Sequence, residues 1–166
     1  MKAFSVVVDS SCVIGLTHIG LFNRLTDIFQ EISIPDFVYH EVVLNGKGRP
    51  GADETAEALK TGWLVQRSVQ DTLAVDALLT NLSRGEAEVI ILAKELSLDY
   101  ALIDEKIARN VATLLGVKTV GVLGVMNMAI LAGIPVQKRH ALDKLRHVGF
   151  RISKKLYQQM LTTISS

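Results

Sequence analysis

The sequence contains few cysteine, proline and aromatic residues. Of its 166 residues, one is cysteine, three are proline and 5% are aromatic. The single cysteine, Cys12, excludes an intramolecular disulfide and a cysteine-rich zinc site, and we expect it to be a small core residue. It also suits the reducing cytoplasm, where we expect the protein to act. The sparse aromatics are not interleaved with cations, so the sequence offers no stacking platform for single-stranded RNA.

Long apolar runs and a strong net charge are also absent. The first apolar run, residues 6–8, stops at Asp9 and is too short for a signal peptide or a membrane span, so we expect no membrane partner. The formal net charge is +1, although residues 1–83 carry −4 and residues 84–166 carry +5. The basic second half would either hold a phosphate backbone near a metal site or form an ordinary solvated helix face.

Short apolar segments rich in β-branched residues alternate with longer segments of helical period. This alternation and the chain length predict one α/β domain over residues 1–166, with a central parallel sheet flanked by helices on both faces. The predicted strands are residues 4–8, 32–34, 64–67, 100–103 and 119–120. The predicted helices are residues 11–18, 21–29, 36–44, 52–61, 73–82, 85–97, 105–115, 122–131, 137–148 and 154–164.

Acidic residues directly follow two of the predicted strands. Asp9 ends the first strand, and Asp104 ends the strand at 100–103. Because the carboxyl ends of parallel strands meet at one edge of the sheet, both carboxylates should lie at that edge, where ligands bind in open α/β sheets. For a single acid, capping of the next helix would be the simpler interpretation. Two acids at matching positions favour a shared site.

Glutamates stand in two predicted helices that are largely apolar and should be substantially buried. Glu41 lies in the body of helix 36–44, where an unpaired carboxylate costs free energy unless it binds a cation. Glu86 and Glu88 lie in the first turn of helix 85–97 and, being two residues apart, cannot share a face. Glu86 also has the spacing of a capping box with Ser83. The sequence leaves open which of these two glutamates enters the site.

Four acids that converge without matching cations would repel one another. Mg²⁺ or Mn²⁺, which prefer oxygen ligands, would relieve that repulsion. A divalent ion between carboxylates and a phosphodiester can activate water and stabilise the leaving oxygen, so the sequence predicts metal-assisted phosphodiester hydrolysis. Ser11 is a candidate supporting residue that would hold a water or a phosphate oxygen. The four candidate metal ligands and catalytic residues are Asp9, Glu41, Glu86 and Asp104.

Four segments in this order resemble the PIN domain family, and in particular a prokaryotic PIN-like group with a Gly-Glu-Ala-Glu signature. They are residues 7–11, 35–42, 85–88 and 102–105, and the likeness extends over about residues 6–161. The resemblance implies a three-layer α/β/α sandwich with a parallel sheet. It also implies a ribonuclease dependent on Mg²⁺ or Mn²⁺, of a kind that often acts as a VapC-type toxin.

The resemblance assigns the first, second and fourth family acids to Asp9, Glu41 and Asp104. The third family acid is usually an aspartate followed by alanine. In this sequence the pair Glu86-Ala87 occupies that position, eighteen residues before Asp104. Because glutamate is longer than aspartate, the Glu86 carboxylate would lie farther out than the family's aspartate. Glu88 is therefore an alternative third ligand. A further family acid often follows the fourth closely, and Glu105 is placed to supply it.

Two hypotheses follow. The first is a cytoplasmic metal-dependent ribonuclease, with RNA as its substrate, that would be the toxin of a type II toxin–antitoxin pair. The alternative is a catalytically weak PIN-like module that binds RNA or protein, which the glutamate at position 86 and the near-zero net charge favour. Apolar residues in the segments 21–29 and 154–164 predict a protein partner in either case, as a homodimer, a higher oligomer or an antitoxin complex.

Overall fold

The computed structural model describes residues 4–162 and contains a five-stranded parallel sheet. The strands are β1 Ser5–Val8, β2 Glu31–Pro35, β3 Leu64–Arg67, β4 Tyr100–Leu102 and β5 Thr119–Val120. Their spatial order is β3-β2-β1-β4-β5. The side chains of Val6, Val7 and Val8 are fully buried, as expected for the central strand of a sheet that is covered on both faces.

Helices flank this sheet, which confirms the predicted α/β class. The helices are α1 Ser10–His18, α2 Asp36–Tyr39, α3 Ala52–Thr61, α4 Thr72–Leu78, α5 Arg84–Glu95, α6 Lys106–Leu114, α7 Val122–Leu131, α8 Lys138–His147 and α9 Lys154–Thr162. The apolar helix α5 packs on β1, β2 and β4. Of the helix predicted at 154–164, residues 163 and 164 lie outside the described residues. In the described part of the chain, no helix is both long and apolar enough to cross a membrane.

The strand order places a ligand crevice between β1 and β4. After β1 the chain builds β2 and β3 on one side, and it then returns to build β4 and β5 on the other side of β1. Such a reversal opens a crevice at the carboxyl ends of the two strands that flank it. Residue 9 follows β1 and residue 104 lies two positions beyond β4, so both acids stand at this crevice.

Two predicted helices differ in the structure. The helix predicted at 21–29 is present as a shorter 3₁₀ helix, Phe22–Asp27, whose three-residue period suits the buried pair Phe22 and Leu25. The helix predicted at 36–44 begins as α2 but continues as a π-helical turn, His40–Leu44, in which the Asn45 N–H donates to the His40 carbonyl oxygen at 2.8 Å. Glu41 lies in this turn. Single π-helical turns inside α-helices often occur at functional sites.

The ends of α5 and α6 provide a matched test of backbone strain. Ser97 follows α5 with a φ of 50°, and Gly116 follows α6 with a φ of 78°, both in the left-handed region. Each helix ends with the same type of hydrogen bond. The Leu98 N–H donates to the Ala93 carbonyl oxygen, and the Val117 N–H donates to the Ala112 carbonyl oxygen. We expect Ser97→Gly to raise the free energy of unfolding by about 0.5–1 kcal/mol and Gly116→Ser to lower it by a similar amount.

Urea denaturation of the two variants measures both effects. Equal signs for the two substitutions would contradict this description of the helix ends.

Candidate metal centre

Asp9 is a buried carboxylate at the carboxyl end of β1. The residue is only 4% exposed. Within the described residues, it occupies the position before α1 without making the usual side-chain N-cap hydrogen bond, although a hydrogen bond from the Ser10 backbone N–H lowers its pKa. The Ser11 hydroxyl donates to Asp9 Oδ2 at 3.3 Å. Burial raises the pKa of Asp9 to about 7, and the nearby charges of Glu86 and Glu41 contribute to this rise.

Glu41 lies near Asp9, and both carboxylates face the Cβ position that Gly85 leaves empty. A Cβ atom added to Gly85 would overlap Glu41 Oε1 and would lie 3.6 Å from Asp9 Oδ1. Glu41 Oε1 is buried and, among the described residues, has no hydrogen-bond partner. Burial raises the pKa of Glu41, and the charges of Glu86 and Glu88 raise it as well, while a hydrogen bond from the Ser10 side chain lowers it. An unpaired buried carboxylate oxygen is costly, and a cation would remove that cost.

Glu86 stands in the first turn of α5 and faces the same crevice. The backbone N–H and the hydroxyl of Ser83 donate to Glu86 Oε1 at 3.0 and 2.9 Å, and the Glu86 N–H donates to Ser83 Oγ at 3.2 Å. The capping box expected from the sequence is therefore present. The charge of Glu86 nevertheless raises the pKa of both Asp9 and Glu41, so the carboxylate belongs to their electrostatic cluster.

Glu88 and Glu105 have structural partners. Glu88 Oε1 accepts the N–H of Phe37 at 3.1 Å, and Glu88 Oε2 lies 3.7 Å from the Arg84 guanidinium. Glu88 thus joins α5 to the start of α2. Glu105 is exposed and caps α6 by accepting the N–H of Ala108 at 3.1 Å. Both carboxylates stabilise helix starts through these bonds.

Asp104 is anchored by neutral donors at the other side of the crevice. Its two carboxylate oxygens accept the N–H of Val122 at 3.1 and 3.2 Å, and the Cys12 thiol donates to Oδ2 at 3.3 Å. Burial raises the pKa of Asp104, while these two hydrogen bonds and the charge of Arg109 lower it. Asp104 therefore also holds the start of α7 in place.

An open cleft of about 890 Å³ connects Asp9, Glu86, Asp104 and Glu105, whereas Glu41 and Glu88 do not line it. Its lining residues are Asp9, Ser10, Ser11, Ser83, Glu86, Asp104, Glu105, Lys106, Val148, Gly149, Phe150 and Arg151. The structure thus brings Asp9, Glu86 and Asp104 to one cleft, and Glu41 lies near Asp9 at the empty Cβ position of Gly85.

The donor set fits a hard divalent cation. Within residues 4–162, no three histidine, cysteine or acidic side chains stand in a ready coordination geometry. Carboxylates that repel one another take up separate positions, and an ion would draw them together. The buried, unpartnered Glu41 oxygen and the desolvated Asp9 carboxylate are the features that favour such an ion.

Sequence reasoning missed the residues that shape this site from behind. Gly85 admits the Glu41 carboxylate, and a Cβ on Gly121 would lie only 2.5 Å from Asp104 Oδ1. Cys12 is fully buried, as expected, but its thiol also donates to Asp104. The glycines at the starts of two helices were the available signal, because a glycine there permits close approach of a charged group. The contact of Cys12 is tertiary and left no signal in the sequence.

Comparison with known proteins identifies the family. The model of the family described as DUF3368: PIN domain matches residues 5–166, so the chain belongs to this PIN-domain family. PIN domains are generally nucleases, and membership therefore supports a hydrolase of nuclease type. No curated protein matches the sequence.

Comparison with solved structures confirms the PIN-like sandwich fold. The chain is similar to a PilT N-terminus domain protein from the hyperthermophilic archaeon Sulfolobus solfataricus P2, with 18% identity and a TM-score of 0.56, over 76% of this chain and 92% of that chain. It is also similar to a domain of a functionally unknown protein from Methanocaldococcus jannaschii DSM 2661, with 21% identity and a TM-score of 0.48, over 72% of this chain and 91% of that chain.

The raised pKa of Asp9 predicts a pH-dependent stability in the absence of metal. Its pKa in the folded chain, about 7, exceeds its ordinary value of 3.8, so the folded chain holds the extra proton between these values. Stability should therefore fall as the pH rises from about 4 to about 7. Asp9→Asn should flatten this fall and raise the free energy of unfolding above pH 7 by about 2–4 kcal/mol, because the amide carries no charge to desolvate.

Thermal unfolding in EDTA across this pH range measures the effect. Asp53→Asn, an exposed carboxylate in the first turn of α3, is the matched control and should leave the pH dependence unchanged. The same pH profile for Asp9→Asn and the wild type would contradict the desolvation of Asp9.

Proposed function

We propose that this chain is a divalent-metal-dependent ribonuclease that hydrolyses RNA phosphodiesters with Mg²⁺ or Mn²⁺. The observation that carries the proposal is the buried Asp9 carboxylate near the buried, unpartnered Glu41 oxygen, both of which face the empty Cβ position of Gly85. Two desolvated acids that face the same glycine cost stability in the absence of a cation. Membership of a nuclease family supplies the independent support.

Asp9, Glu41, Glu86 and Asp104 are the proposed metal ligands. A bound divalent ion lowers the pKa of a coordinated water and stabilises the charge that develops on the phosphate and the leaving oxygen. Asp9 must lose its proton to act as a ligand, and its pKa of about 7 means that it loses it near neutral pH. Ser11 holds Asp9 Oδ2 through its hydroxyl and so orients the carboxylate.

Glu86 rather than Glu88 is the proposed third ligand. Glu88 is committed to Phe37 N–H and to Arg84, and releasing it would leave the start of α2 uncapped. Among the described residues, Glu86 is bonded to Ser83, which itself lines the cleft, and its charge already acts on both Asp9 and Glu41.

A binding module without catalysis is the second candidate. The hydrogen bonds from Ser83 to Glu86 favour it, because they compete with metal binding.

The toxin role, the antitoxin partner and a homodimer or higher oligomer stay predictions from the sequence and the family resemblance. Co-purification with the product of the neighbouring gene tests the antitoxin, and size-exclusion chromatography tests the oligomer.

RNA cleavage tests the proposed function directly. We expect the purified chain to cleave single-stranded RNA with Mn²⁺ or Mg²⁺ and to lose this activity in EDTA. Asp9→Asn should reduce the rate by at least about a hundredfold, because it removes one charged metal ligand without adding bulk. Asp53→Asn is the control for a surface carboxylate. Full metal-dependent activity in Asp9→Asn would end the assignment of the site.

Substitution of the two rival glutamates tests the ligand set. We expect Glu86→Gln to weaken Mn²⁺ binding by about tenfold or more, since an amide oxygen is a poorer ligand than a carboxylate. Glu88→Gln should leave Mn²⁺ affinity nearly unchanged but lower the melting temperature, because it weakens the contacts to Phe37 and Arg84. Isothermal titration calorimetry with Mn²⁺ and thermal unfolding measure the two effects. The reverse pattern would make Glu88 the third ligand.

A further inference from the structure

We propose that Arg151, assisted by Lys106, binds the phosphate backbone of the RNA at the rim of the acidic cleft. The inference rests on the proposed function, because it names the residues that hold the substrate at that same site. The inference rests on residues 148–151, which follow α8 and form one wall of the cleft. This wall contains no strand of the sheet and none of the helices that carry the acids.

The wall is held against α1 by close packing. A Cβ atom added to Gly15, in the middle of α1, would lie 2.6 Å from Phe150 Cζ and 3.0 Å from Val122 Cγ2. The Phe150 ring therefore fits against a helix position that has no side chain. The Phe150 N–H also donates to the Leu145 carbonyl oxygen at 2.9 Å, which closes the end of α8. These two contacts fix the residue that directly precedes Arg151.

The residue that follows Arg151 is fixed as well. The Arg146 guanidinium donates to the Ile152 carbonyl oxygen through Nε at 3.2 Å and through Nη2 at 2.8 Å. The same guanidinium stacks on the Tyr157 ring of α9, 4.3 Å from its centroid. Since both neighbours of Arg151 are anchored, its backbone is held at the cleft while its side chain remains exposed.

The two cations have no role in folding that the described residues reveal. Lys106 begins α6, and both it and Arg151 are exposed at the cleft. Within residues 4–162, neither makes an ion pair. By contrast, Arg84 pairs with acids and Arg146 holds the main chain, so both have structural partners.

A nucleic-acid strand needs such cations at this place. The cleft lining contains four acids, and a phosphate backbone that approached them would be repelled in the absence of compensating charge. A guanidinium forms paired hydrogen bonds with phosphate oxygens, and a lysine adds a point charge. Arg151 and Lys106 thus supply the attraction at the edge of a cleft whose floor is acidic.

RNA binding without metal tests the proposal separately from catalysis. The probe is a short fluorescein-labelled single-stranded RNA, followed by fluorescence anisotropy in EDTA. We expect Arg151→Ala to raise the Kd about fivefold and the double variant with Lys106→Ala to raise it further. The slope of log K against log salt should fall by about 0.7 for each cation removed. Arg151→Lys should retain the slope and lose part of the affinity.

Matched controls separate a local role from general charge. Lys118→Ala removes an exposed cation just before β5, at the opposite edge of the sheet, and Lys155→Ala removes one from α9. Both should change the Kd by less than about twofold. Mn²⁺ affinity by calorimetry should be the same in Arg151→Ala as in the wild type, because Arg151 is proposed to bind the strand and not the ion.

Three results would overturn the proposal. They are an Arg151→Ala Kd within the range of the two lysine controls, an unchanged salt slope in the double variant, and a change in Mn²⁺ affinity as large as the change in RNA affinity. An equal change in Mn²⁺ affinity would mean that Arg151 affects RNA binding only through its effect on the acidic residues. Failure of the proposed function has a different signature, in which the wild-type chain binds RNA through Arg151 but neither binds Mn²⁺ nor cleaves.

Discussion

The placement of Asp9 and Glu41 around the empty Cβ position of Gly85 is the constraint on which the rest of the site depends. Asp9 follows three fully buried strand residues and is itself only 4% exposed, so folding largely removes its carboxylate from water. Glu41 arrives from the π-helical turn after α2, and its Oε1 atom is buried there. Folding therefore desolvates two like charges at one place, a cost that a cation at the site would offset.

The surroundings divide the acids into two kinds. Asp104 and Glu88 are bonded to main-chain N–H groups at helix starts, which gives them a role in the fold whether or not an ion is bound. Burial raises the pKa of Asp9 and of Glu41, and the charge of Glu86 raises both further. Groups whose pKa values are raised by burial inside a cleft are typical of functional sites. Glu88 thus positions α2, whereas Asp104 both positions α7 and lines the cleft, where it joins Asp9 and Glu41 as a proposed ligand.

The sequence was sufficient for the parts of the site that depend on local pattern. Alternation of strands and helices predicted the parallel sheet, and the acids at the ends of two strands predicted the edge where Asp9 and Asp104 meet. The sequence was insufficient where the role of a side chain depends on which distant segment it contacts. Only the position of α2 distinguishes Glu88, bound to Phe37, from Glu86. The π-helical turn and the wall formed by Phe150 likewise depend on packing between segments far apart in the chain.

Anomalous X-ray diffraction from a crystal soaked in Mn²⁺ at or above neutral pH is the most direct test of the central claim. The account predicts an anomalous peak within coordination distance of Asp9 and Glu41, with the Glu86 carboxylate rotated away from Ser83 toward the ion. Density that shows no manganese at this place, or that shows the Glu41 oxygen satisfied by an arginine or lysine, would contradict the claim that a divalent ion relieves the repulsion of these acids.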